Sequence, residues 1–105
     1  MNVIVAGTDD HDIAAAIDSA GHTVATVDIA DRPALEEAGT HEASVLVLTE
    51  VEQATSIAVA KDLNAELKVV LYCEGSLPDF ASRQADMLVD PELLDADAVA
   101  AELDA

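Results

Sequence analysis

The residues best placed to do chemistry form a short acidic run, GTDDHD, from Gly7 to Asp12, directly after the apolar stretch Asn2 to Ala6. A glycine between a strand and a helix can wrap a phosphate. In the dinucleotide fingerprint G-x-G-x-x-G the first glycine permits the turn, the second lets a pyrophosphate reach backbone amides, and the third lets the helix approach the strand. Here Gly7 fills the first role, with Thr8 beside it, while Asp9 and Asp12 stand at the second and third. A carboxylate at the second position lies where the pyrophosphate would, and two like charges about 4 Å apart near a protein surface repel by a few kcal/mol. These acids have a simpler use as well. Carboxylates in the first turn of a helix cap its open amides and meet the positive end of its dipole, at about 0.3–1 kcal/mol each. A cation held by Asp9, Asp10, Asp12 and His11 is a third use, although no loop of known ligand spacing supports it.

Asp28 ends the second apolar stretch, 21 positions after Gly7, where an acid could accept hydrogen bonds from the ribose hydroxyls of an adenine nucleotide. With 22 acids in 105 residues, an aspartate at a given place is weak evidence. Thr49 ends the third apolar stretch and could touch a phosphate or ribose. It also stands three residues before Glu52, the spacing of a capping box. Cys73 is the single cysteine, so neither an internal disulfide nor a multi-cysteine metal site can form, and a buried, reduced thiol is the simple reading. His11, His22 and His41 share no metal-ligand spacing, and no Ser or Cys has a base near it in sequence. The chain shows no catalytic residue and no metal site.

The elements that position these residues alternate between short apolar blocks and stretches of helical period, the pattern of βα units around a parallel sheet covered on both faces. Strands are predicted at Asn2 to Ala6, Thr23 to Asp28, Ser44 to Thr49, Leu67 to Cys73 and, as a brief edge strand, in DMLVD. A first helix runs from Asp10 to Ala20, with Ile13, Ala16, Ile17 and Ala20 inward and Gly21 as its stop. DRPALEEAG makes a two-turn helix with Asp31 as N-cap, Pro33 in the first turn and Gly39 as terminator. Further helices are predicted over Val51 to Leu63 with Ile57, Ala58 and Ala54 inward, over Leu77 to Gln84 capped by Ser76, and from Pro91 onward, capped by Asp90, with Leu93, Ala96, Ala100 and Leu103 on one stripe. The fold class is α/β: one Rossmann-like three-layer domain over residues 1–105, with about five mostly parallel strands. Such a sheet takes a ligand beyond the C-terminal ends of its strands, where strand order reverses.

Charge bounds the partners. Acids outnumber bases 22 to 4, giving a formal net charge of −18 spread along the chain, yet 51% of residues are apolar. That is a folded acidic protein rather than a disordered tail. Self-repulsion destabilises such a chain in dilute buffer, whereas at molar salt the screening length falls to about 3 Å, so the composition fits a salt-rich cytosol. Nucleic acid and anionic membranes are excluded as partners, because no basic face can be assembled. No run of about 18 apolar residues is present to span a membrane, and the expected location is cytoplasmic.

The stretches VIVAG, IAAAIDSAGHTVATVD, LEEAGTHEASVLVLTEVEQATSIAVAKDLNAELKVVLY and QADMLVDPELL, in that order, resemble the N-terminal domain of the regulator of potassium conductance family (RCK, or TrkA-N), in an acidic, halophilic-archaeon-type version. The resemblance implies a Rossmann-like regulatory domain, often a homodimer, that binds NAD or another adenine nucleotide and acts on potassium transport through a transporter or cytosolic protein. Carried over by position, Gly7 and Thr8 would form the phosphate turn, Asp28 would hold the ribose, and Thr49 would edge the cofactor pocket. Two motif glycines are aspartates, and the segment after Asp28 is shorter than the family's by one helix–strand unit. The expectation is therefore a non-enzymatic module with weak or lost nucleotide binding. A ligand-free interaction or dimerisation protein is the alternative, and an enzyme the third reading. A CTP synthetase, for one, would need a P-loop and a glutaminase Cys–His pair, and neither is present.

Overall fold

The computed structural model of the chain describes residues 1–74 and 84–103. Five strands form one parallel sheet: β1 (Asn2–Ala6), β2 (Thr23–Val27), β3 (Val45–Leu48), β4 (Lys68–Tyr72) and β5 (Met87–Val89), in the order β2-β1-β3-β4-β5. The register runs Ile4 beside Ala25 and Leu46, Leu46 beside Val69, and Leu71 beside Leu88. The parallel three-layer architecture expected from the alternating blocks is the one observed.

Near-continuous apolar strands are needed because both faces are covered. Successive side chains point to opposite faces, so each strand feeds two cores. Ile4, Ala6, Leu46, Leu48, Val69 and Leu71 pack under α2 (Arg32–Ala38) and α3 (Ser56–Leu63), through Leu35, Ile57 and Ala60. Val3, Val5, Val45, Val47, Val70 and Tyr72 pack under α1 (Ile13–Ser19) and α4 (Ala96–Glu102), through Ile13, Ile17, Val99 and Leu103. Each large side chain taken fully from water contributes about 1.5–3 kcal/mol.

Caps set both limits of α2. The Asp31 carboxylate accepts from Ala34 N at 2.9 Å, Pro33 follows in the first turn, and Gly39 closes α2 in the left-handed region at φ 91°, as the sequence signals required. Other boundaries differ from expectation. α1 begins at Ile13, three residues late, because Asp12 itself takes a left-handed conformation (φ 57°, ψ 38°), and Ala20 is an exposed C-cap. The helix expected from Val51 is a 3-10 turn, Val51–Gln53, followed by α3 from Ser56, so Ala60 rather than Ala58 faces the core.

The last helix begins at Ala96 rather than at Pro91, because Asp95 is its cap, accepting from Ala98 N at 2.8 Å. Residues 91–94 form a turn that leaves Leu93 82% exposed rather than on the buried stripe. The helix expected over Leu77 to Gln84 lies outside the described residues but for its last position.

Candidate functional site

Strand order reverses between β1 and β3, and a cleft opens at the C-terminal ends of β1, β3 and β4. It has a volume of about 390 Å³, between the β1–α1 loop (Thr8 to His11), the segment after β3 (Thr49 to Glu52) and the end of β4 (Tyr72 to Glu74).

Gly7 ends β1 at φ 105°, where only glycine sits without strain. Its N–H donates to Val27 O at 2.9 Å, and a Cβ here would collide with Thr49 Oγ1 and press on the Glu50 side chain. The glycine is thus required by the approach of β3 to the turn, with no ligand needed to explain it. Two residues on, the Asp9 carboxylate accepts from Ile13 N at 2.7 Å through Oδ1 and from Ala14 N at 3.1 Å through Oδ2. The first amides of α1 are occupied by the protein's own carboxylate. Asp12 makes no side-chain cap, and Asp10 is exposed, so the capping role expected of the run rests on Asp9.

Opposite this loop, Thr49 Oγ1 donates to Ala6 O at 3.2 Å, so the capping box with Glu52 does not form. Glu50 is held from two sides: Thr8 Oγ1 donates to its Oε2 at 3.0 Å and Gln53 Nε2 to its Oε1 at 2.6 Å. These bonds, Gln53's first and Thr8's second, keep its carboxyl below the ordinary range against an opposing desolvation. The same Gln53 amide donates to Asp28 O at 2.9 Å, and its Oε1 accepts from Ala30 N at 2.7 Å. Gln53 therefore clips the loop after β2 to the segment after β3. It escaped the sequence reading because a glutamine there carries no spacing signal, and its partners lie 23 and 25 residues away.

On the far wall, the buried Tyr72 donates through its hydroxyl to Leu94 O at 3.0 Å, and the His11 ring meets it edge-on at 5.8 Å. Desolvation, reinforced by Asp95 and Asp9, pushes the phenol pKa up. Cys73 lines the cleft half-buried rather than sealed in the core, and desolvation with the charges of Glu52 and Asp90 pushes its thiol pKa up.

Of the expected site residues, the structure brings Gly7, Thr8 and Thr49 together. Asp28 stands apart: its side chain is exposed and only its carbonyl joins the Gln53 clip. The cleft wall is anionic. Among the described residues Arg32 is paired with Asp62 and Lys61 with Asp86, both at 2.8 Å, and Lys68 starts β4 at the opposite end of the sheet. No group of three or more His, Cys, Asp and Glu side chains among the described residues is disposed to hold a metal ion.

Solved structures with the same architecture share little sequence with the chain. An orphan response regulator of H. pylori matches at TM-score 0.77 and 12% identity, over 99% of this chain and 93% of that one. A putative pilus assembly-related protein from Burkholderia pseudomallei matches at 0.72 and 18%, over 99% and 87%. The BeF3-activated receiver domain of DrrB matches at 0.69 and 17%, over 98% and 93%. The fold is therefore the flavodoxin-like fold of response-regulator receiver domains. No curated protein matches the chain in sequence.

These findings overturn the resemblance to the TrkA-N family, and with it the reading as a degenerate nucleotide-binding regulator of potassium transport. The segments that carried the resemblance have local causes shared by any doubly wound sheet. LEEAG is a helix with its Gly39 terminator, ATSIAVAKDLN an alanine-rich helix turning Ile57 and Ala60 inward, and ADMLVD an edge strand. The match that spans the sequence is a different one: with residues 3–103 covered by its model, the chain belongs to the family of unknown function DUF7126.

Proposed function

We propose that the protein is a non-enzymatic regulatory module, a receiver-like domain that acts by binding another protein and carries no phosphoryl group. One observation bears most of the weight: two carboxylates of the cleft, one on each side of the switch point, are held by the protein's own hydrogen bonds. Asp9 spans the Ile13 and Ala14 amides, and Glu50 is clasped by Thr8 and Gln53. The tip of β3 itself carries a threonine whose hydroxyl turns back to Ala6 O.

Forming an acyl phosphate needs a free carboxylate as nucleophile and positive charge to offset that which develops on the phosphoryl oxygens. The described cleft residues include neither Lys nor Arg, and Glu52, Glu74, Asp9 and Asp10 add negative charge instead. His11 is present but faces the Tyr72 ring. The acidic surface suits a salt-rich cytosol, and no helix among the described residues is long and apolar enough to cross a membrane.

The test uses the phosphomimetic beryllofluoride. Amide spectra of the labelled chain in molar KCl with Mg²⁺ are expected to be unchanged on adding beryllofluoride. Shifts concentrated at Thr8, Thr49 and Cys73 would overturn the proposal.

A further inference from the structure

The sheet has two edges, and they are built differently. β5 is three residues long between Asp86 and Asp90, and Asp86 closes its start by accepting from Lys61 Nζ and Val69 N, both at 2.8 Å. Short length and flanking charge are how edges are protected from pairing with another chain. β2 is longer, and its flanking charge is the single exposed Asp28 at its C-terminal end. Its five residues, Thr-Val-Ala-Thr-Val, contain no charge, no proline and no bulge. They run beside a shallow groove of about 300 Å³ between the strand and α2, where Ala25, Val27, Ala34 and Ala38 supply the apolar wall and Glu37 the one charge. Ile29, just past the strand, is 66% exposed.

The backbone of β2 shows which of its polar groups face outward. Thr23 N donates to Met1 O, and Gly7 N donates to Val27 O. In a parallel pair, alternate residues turn both N–H and C=O to the neighbour, so Thr23, Ala25 and Val27 face β1. Val24 and Thr26 direct both groups away from the sheet.

We propose that this edge joins a second copy of the chain, antiparallel, about a two-fold axis centred on Ala25. In that register Val24 of each copy lies opposite Thr26 of the other, and all four residues present outward-facing groups. Each such pair exchanges two hydrogen bonds. The two Ala25 residues form the close, non-hydrogen-bonded pair at the centre, with Cα atoms about 4.5 Å apart, and the small side chain suits that spacing.

Symmetry and charge together select the occupant. An isologous interface sets a surface against itself, so charge on its axis would meet the same charge. In a chain of net charge −18, an uncharged five-residue edge is a strip on which two copies can meet without that penalty. A basic partner would be drawn to the acidic surfaces instead. Five residues span about 17 Å, a short seam, so the dimer should dissociate on dilution and as salt is withdrawn.

The experiment is sedimentation of the full chain in molar KCl over a concentration series. The expected result is a rise from the 10.9 kDa monomer to twice that mass. Val24→Pro and Thr26→Pro each remove an outward N–H without touching the β1 ladder, where an edge proline is tolerated. Both should remain monomeric with an unchanged circular dichroism spectrum, while Leu93→Ser, at an exposed site on the β5 side, should dimerise as the parent does. A parent that stays monomeric at every concentration overturns the proposal, as do proline variants that dimerise normally or loss of the dimer in Leu93→Ser. Should the proline variants fail to fold, Ala25→Cys with Cys73→Ser decides. Mild oxidation gives a covalent dimer if the two-fold axis lies at Ala25, and gives none if it does not.

Discussion

Replacing Gly7 by alanine tests whether the turn at the head of the cleft is set by packing. At φ 105° an L-residue is strained, at about 1–2 kcal/mol for left-handed backbone. The added Cβ also collides with Thr49 Oγ1 and sits 3.2 Å from Glu50 Cγ and Oε1. Moving Thr49 gives up its bond to Ala6 O, worth about 0.5–1.5 kcal/mol. Together these place the loss at about 1.5–3.5 kcal/mol. For a domain of this size each kcal/mol lowers Tm by about 4 °C, so the expected drop is about 6–14 °C. Thermal melts by circular dichroism in molar KCl measure it. In the double variant Gly7→Ala/Thr49→Ala the collision is relieved, so the two changes should cost at least about 0.5 kcal/mol less than their sum, the size of coupling seen between touching residues. A loss in Gly7→Ala below about 0.5 kcal/mol, the size of an ordinary surface change, together with strict additivity, would refute the reasoning.

Asp9→Ala removes the acceptor for two amides of α1 and should cost about 1–2 kcal/mol in the same melts, with Asp9→Asn recovering part of it. At Asp86, desolvation works to raise the carboxyl pKa, but bonds from Lys61 and Val69 and the charges of Lys61 and Lys68 lower it on balance. A depressed folded-state pKa contributes stability above the unfolded-state value, about 3.9, that is lost as pH falls through the folded-state value. Denaturant melts between neutral pH and pH about 3 should therefore show a shallower acid loss for Asp86→Asn than for the parent, by less than about 1 kcal/mol because the ion pair is partly exposed. The raised thiol pKa of Cys73 predicts alkylation at neutral pH slower than for a free cysteine, accelerating only above the ordinary thiol range, as intact-mass time courses would show. With a net charge of −18, transfer to buffer of low ionic strength should abolish the helical circular dichroism signal, and added KCl should restore it.

The strands were legible in the sequence because burial on both faces demands continuous apolar blocks, and VIVA, VLVL and KVVLY leave little choice. The cleft's position was legible too, since it follows from parallel topology alone. What escaped was decided by contacts distant in sequence or by backbone conformation. Asp12 reads as a first-turn acid, but its left-handed backbone delays α1. Thr49 and Glu52 have the spacing of a capping box, yet the Ala6 carbonyl, 43 residues away, takes the hydroxyl. Leu93 fits a helical stripe, but Asp95 caps the helix two residues later. The family resemblance failed for a related reason: alanine-rich helices and apolar strands in fixed order describe an architecture shared by unrelated sheets, whereas a phosphate turn is defined by particular glycines that Asp9 and Asp12 replace.

The central claim is that Asp9 and Glu50 at the switch point are structural and the domain works without phosphoryl chemistry. Intact-mass analysis of the folded chain after incubation with acetyl phosphate and Mg²⁺ in molar KCl tests it most directly. The account predicts the mass of the unmodified chain, with no adduct at any time point. Stoichiometric gain of one phosphoryl group, lost on Glu50→Gln or Asp9→Asn, would contradict it.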